Sequence, residues 1–270
     1  MVRLIKTVLV FLRFMWRGLA ALKPRSGQDF RRLASWCMAL ASDSRTYVNL
    51  DERCSVECYQ KLASFVSGCD SVHPHFMSDL DATKPFRSQS STSSDVVIRL
   101  DCDNGDVDAA ASIIHIFSEA QVNLSAHILV DGVEYDPSAF LDTVRPDVPF
   151  CKFGLHSACW THPAPRDNLI AEIAKFQALF GYKPESISLH GNIARNHVSL
   201  LRRSEFIREW NATHRDIAIH HGFQWTCQDS RVSSYFRKPC VTAERLRPLL
   251  LPRTVGNVVL HNNYLNLSKA

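Results

Sequence analysis

Four short apolar runs in the last two-thirds of the chain each lead directly into a carboxylate or an imidazole. Residues 96–100 lead into Asp101-Cys102-Asp103, and residues 150–155 into His156. Residues 186–189 lead into His190-Gly191-Asn192, and residues 255–260 into His261. Runs this short, rich in β-branched and other apolar residues, predict buried strands. A further strand is predicted over 122–130, and a strand plus turn over 217–225. Helical spacing fills the intervals: 107–120, with Ala110, Ile113, Ile114 and Phe117 on one face; 168–180, closed by Gly181 and Pro184; 197–210; and a segment from Thr242 toward Leu250. Alternating strands and helices predict an α/β fold with a mainly parallel sheet, open or closed into a distorted (β/α) barrel. In such folds the chemistry collects at the carboxyl ends of the strands. Those ends are where the chain puts Asp101, Asp103, His156, His190 and His261.

Upstream the pattern differs. Residues 30–69 read as helical, with Phe30, Leu33, Trp36, Cys37 and Leu40 at three- and four-residue steps, and a second helix opens near Asp51. Residues 70–94 lose periodicity, and 88–94 are almost entirely Ser, Thr and Gln. A boundary is therefore expected here, with a basic helical extension and linker over 1–92 and the barrel domain over 93–270. The first 32 residues carry Arg3, Lys6, Arg13, Arg17, Lys23, Arg25, Arg31 and Arg32 against the single acid Asp29. Leu4, Val8, Leu12, Met15 and Leu19 follow helical spacing between them. Two readings stay open for this segment: a helix on an anionic membrane surface, or an amphipathic helix packed on the domain.

Composition narrows the class. With 46% apolar and 21% charged residues, the chain can bury a core without staples. Its nine cysteines are an odd number with no CxxC pair, which argues against a secreted disulfide framework and for a reducing compartment. The expected location is cytoplasmic, peripheral at the inner membrane face if the basic segment binds lipid. A net charge of +4 is too mild to argue for nucleic acid as a partner.

Carboxylates and imidazoles gathered at strand ends suit a divalent metal that keeps positions open for water. Such an ion lowers the pKa of water and polarises a carbonyl. At these residues the sequence resembles the polysaccharide deacetylase family, the NodB-homology fold. Residues 96–103 look like its first motif in an Asp-x-Asp form. Gly154-Leu155-His156 with His162 looks like the second, Gly181-Tyr182-Lys183-Pro184 like its following turn, and Leu260-His261 like its last. The resemblance covers 95–270. It implies a distorted (β/α) barrel that removes acetyl groups from a sugar or glycan precursor with a divalent metal, Zn²⁺ being the expected ion. Carried over residue by residue, it gives Asp101 as base, Asp103, His156 and His162 as metal ligands, and His261 as the acid for the leaving group. Five residues separate His156 from His162 where the family has three, so His190 stands as a replacement ligand. The first motif can also be aligned on Asp103-Asn104-Gly105, which makes Asp103 the base. His190 and Asn192 are expected to line the substrate site, and Trp160 and Trp225 to stack on a sugar ring or else pack structurally. Asp106 is the expected cap of the helix that follows Asp103, and His220 and His221 are expected to be structural. A degenerate member that binds sugar or protein without catalysis is the alternative, as is a membrane-surface adaptor driven by the basic segment.

Overall fold

The computed structural model describes residues 54–81, 91–103, 106–132, 134–144, 147–159, 163–190, 200–221, 223–228, 231–232 and 246–267, with scattered positions before 54 and at 86 and 88. In chain order the main elements are α1 (Val56–Ser67), β1 (Val72–His75), β2 (Ser94–Cys102), α2 (Val107–Glu119), β3 (Leu124–Ile128), α3 (Pro137–Val144), β4 (Cys151–Ser157), α4 (Pro165–Phe180), β5 (Ile187–Leu189), α5 (Leu200–Thr213), β6 (Trp225–Gln228) and β7 (Val255–His261). These strands share one sheet, ordered β5-β4-β3-β2-β7-β6, and every pairing in it is parallel. The sheet curls into half of a barrel. A lone bridge between Ile187 and Ile219 continues it beyond β5. The α/β class and the parallel sheet are thus as expected, while the barrel is half formed among the described residues.

β2 is the hub. β7 runs along one of its edges, pairing Val255 with Asp95 through to His261 with Asp101. The other edge is divided: β1 takes residues 94–97 and β3 takes 98–102. The expected boundary at 92 therefore falls inside the sheet. β1 was not foreseen because Val-His-Pro-His offers no apolar run. Its Pro74 is tolerable because β1 pairs with β2 alone among the described strands, and an edge strand can spare an N–H. α1 and Leu33 and Cys37 belong to the same apolar core as β2. Of the N-terminal helical positions, Met15 and Leu19 pack on that core; Leu4, Val8 and Leu12 lie outside the described residues.

Successive residues of a strand face opposite ways, and β2 divides accordingly. Val96, Ile98, Leu100 and Cys102 are fully buried and belong to the apolar core. Asp95, Arg99 and Asp101 take the inner face. The same alternation gives Ser125 and His127 on β3, Gly154 and His156 on β4, and Ser186 and Ser188 around β5, all on the Asp101 side by cross-strand register. Helix starts and stops follow local chemistry. Asp106 Oδ1 accepts from the Ala109 N–H at 3.1 Å and caps α2 as expected, leaving Asp101 and Asp103 free of capping duty. α4 opens on Pro165 and closes on Gly181 at φ 76°, the left-handed turn that glycine adopts without strain. Its buried stripe is Leu169, Ile173 and Phe176, while Ile170 is exposed.

Candidate metal centre

The carboxyl ends of parallel strands lie along one rim. Asp101 belongs to β2 and Asp103 follows it; His156 lies near the end of β4; His190 follows β5; His261 ends β7. Three of these side chains converge. His156 Nε2 lies 3.0 Å from Asp103 Oδ1 and 3.0 Å from His190 Nδ1, and His190 Nδ1 lies 3.3 Å from Asp103 Oδ1. Each atom carries a lone pair when the carboxylate is ionised and the imidazole nitrogen is unprotonated, and three facing lone pairs repel unless a cation sits among them. Tetrahedral bonds of about 2.0–2.1 Å imply ligand-to-ligand distances of roughly 3.3–3.4 Å, close to this triangle. A carboxylate with two imidazoles is a donor set suited to Zn²⁺ and similar ions. The residues present therefore fit a divalent metal, and Asp103, His156 and His190 are the group that could hold it.

His261 flanks the triad, with Nε2 3.8 Å from Asp103 Oδ2. The electrostatics follow from this crowding. Burial would raise Asp103, but hydrogen bonds from His156 and His190, made when those rings are protonated, outweigh it and hold the carboxyl well below its ordinary range. His190 is raised, first by its hydrogen bond to Asp103, against the opposing effect of burial. Asp101 is almost fully buried. Burial would raise it too, but Arg99 above all, then His156 and His261, keep it below the ordinary value.

Both oxygens of Asp101 are engaged by residues outside the triad. Arg99 Nη2 donates to its Oδ2 at 2.6 Å, and the Ser188 hydroxyl donates to its Oδ1 at 3.4 Å. Its nearest approach to His156 is 3.7 Å, at Nδ1 rather than at the Nε2 that meets Asp103. Arg99 and Ser188 were not singled out in the sequence. The signal for Arg99 was its place two residues before Asp101, hence on the same face. Asn262 also went unnoticed: its Oδ1 accepts from the Asp103 N–H at 3.1 Å and its Nδ2 donates to the Asp106 carbonyl at 3.0 Å, tying both residues to the end of β7.

Gly154, read only as part of a motif, has a steric reason. The His127 ring crosses β4 at this point to reach Ser186 Oγ at 3.0 Å. A Cβ on residue 154 would lie 2.7 Å from that ring. Gly154→Ala is expected to displace His127 and cost about 1–3 kcal/mol of stability, read from the denaturant midpoint.

His190 is thus gathered with Asp103 and His156, which makes it the described partner that completes the triad. His162, the ligand first expected, lies outside the described residues, as do Trp160 and Asn192. Trp225 corrects an expectation. It is buried, its Nε1 donates to Thr254 Oγ1 at 3.1 Å, and Gly256 is the only residue type whose backbone fits beneath the indole. It begins β6, at the strand end opposite the triad, so it is a core residue and meets no sugar. His220 is structural as expected, with Nε2 donating to the Leu80 carbonyl at 3.2 Å.

On the face of β4 opposite His156, Ser157 donates to the buried carboxyl of Glu172. Burial pushes Glu172 up to about 7. A carboxyl raised on folding favours the folded state while protonated. Its contribution is complete below the ordinary carboxylate range and is lost as pH rises toward 7. Unfolding curves from pH 4.5 to 7.5 are expected to show this decline, and Glu172→Gln to flatten it.

No family model matches the chain, and neither a curated protein nor a solved structure does. All described cysteines are free thiols. No described helix is long and apolar enough to cross a membrane.

Proposed function

We propose that this chain is a metal-dependent hydrolase that removes an acetyl group from a sugar or glycan precursor. The observation that carries the reading is the convergence of Asp103, His156 and His190 at the carboxyl rim of a parallel sheet, with His261 beside them. The sequence resemblance supplies the substrate class. A divalent cation held there would supply Lewis acidity toward a carbonyl and its attacking water. Asp103, His156 and His190 hold and orient that centre. His261, flanking it from β7, is placed to pass a proton to the departing sugar atom, the role of a general acid.

A second reading has a specific observation behind it. Both oxygens of Asp101 are engaged by Arg99 and Ser188, so the carboxylate expected to act as base is already committed to other partners. A cation-dependent binding module without turnover has the same triad and needs no base. Acetate release separates the two. The Zn²⁺-loaded chain, incubated with N- and O-acetylated sugars and oligosaccharides, is expected to liberate acetate, and Asp103→Ala to abolish release. Metal-dependent binding of a glycan with no acetate formed favours the binding module.

A further inference from the structure

We infer that Arg99, Asp101 and Ser188 form a relay that fixes His156 in the tautomer a metal needs; this rests on the metal reading of the triad. Asp101 is then a positioning residue for a ligand, with no contact to substrate.

The hydrogen-bond order follows from counting protons. Arg99 Nη2 donates to Asp101 Oδ2 at 2.6 Å, a charge-assisted bond that anchors the carboxylate. The Ser188 hydroxyl has one proton, and its carboxylate neighbour can only accept, so Ser188 donates to Asp101 Oδ1 at 3.4 Å. In this relay the proton is given to Asp101, and the hydroxyl oxygen accepts from His156 Nδ1, 2.7 Å away. Nδ1 therefore carries the hydrogen. The lone pair of the neutral ring lies on Nε2, the nitrogen 3.0 Å from Asp103 Oδ1 and 3.0 Å from His190 Nδ1. Direct pairing of Asp101 with Nδ1, at 3.7 Å, is too long for a hydrogen bond, so the serine is the necessary link.

The fold provides each member. Arg99 and Asp101 are two apart on β2 and share its inner face. The β4–β5 register sets His156 opposite Ser188. Metal-bound imidazoles generally give their second N–H to a carboxylate or carbonyl, which fixes the ring and raises its basicity. Here the carboxylate acts through a hydroxyl.

The test uses Zn²⁺ alone as probe, with affinity measured by chelator competition and folding checked by thermal melting. Ser188→Ala and Asp101→Asn are each expected to weaken Zn²⁺ binding about 10- to 100-fold, the range for outer-shell partners. The double variant is expected to lose no more than the weaker-binding single variant, because a chain broken once is already broken. Ser188→Thr, which keeps the hydroxyl, is expected to bind nearly as wild type. Unchanged affinity in Ser188→Ala, or additive losses in the double variant, would overturn the relay. Ring nitrogen-15 spectra of the metal-free protein at about pH 8, above the ordinary histidine pKa, give an independent reading. His156 is expected as the Nδ1–H tautomer in wild type and as a mixture in Ser188→Ala. If the wild type binds no Zn²⁺ yet shows the Nδ1–H form, the metal reading fails and the relay stands. If His156 is Nε2–H in the wild type, the relay fails whatever the metal does.

Discussion

His156→Ala is expected to weaken Zn²⁺ binding by at least about 100-fold, since loss of a direct ligand should exceed the 10–100-fold that outer-shell partners cost. His156 is the buried centre of the triad: its Nε2 meets both Asp103 and His190 at 3.0 Å. Removing it leaves a carboxylate and one imidazole, too few to outcompete water for a divalent ion. It also strips Asp103 of the imidazole that, when protonated, does most to keep its carboxyl ionised as pH falls. His190→Ala should cost as much, because His190 closes the same triangle. Chelator competition measures all of these, and equal affinity in the His156 variant would move the metal elsewhere.

Trp225→Ala is expected to lower stability by about 3–5 kcal/mol, the range for deleting a large buried aromatic. A domain of ordinary stability has about 5–15 kcal/mol in all, so the loss should appear as a large drop in the denaturant midpoint. The indole is 1% exposed. It lies over Gly256 and donates to Thr254 Oγ1, which in turn bonds Ser94 Oγ at 3.0 Å and the Leu251 carbonyl at 2.6 Å. Its removal leaves both a cavity and a weakened polar clasp between β2 and the turn before β7. A variant with native stability and weakened sugar binding would restore the stacking role.

The strand-end rule made most of the site legible. Asp101, Asp103, His156, His190 and His261 were identified because parallel strands expose their carboxyl ends together, and the structure brings all five to one rim. What the sequence concealed were distances across strands. Whether His162 or His190 completes the triad depends on the β4–β5 register, which sets His156 opposite Ser188 and so brings His190 alongside. The orientation of Asp101 depends on Arg99 and Ser188, residues whose types alone suggest nothing. Trp225 was ambiguous because an aromatic residue near a strand has the same local pattern in a core as at a sugar site. Only the glycine opposite it on β7 decides. In the fold, long periodic helices such as α4 and the apolar strands were readable. β1 and α3 were not: Val-His-Pro-His has no apolar run, and α3 buries only Phe140 and Val144. Missing β1 also set the domain boundary too late, because a Ser-rich stretch before β2 reads as a linker when the strand preceding it is unseen.

The metal centre is tested most directly by anomalous diffraction from crystals soaked in Zn²⁺, recorded on both sides of the zinc edge. The predicted result is one strong peak within bonding distance, about 2.0–2.2 Å, of Asp103, His156 Nε2 and His190 Nδ1. A peak bound elsewhere, or none at this rim in crystals that diffract well, would contradict it.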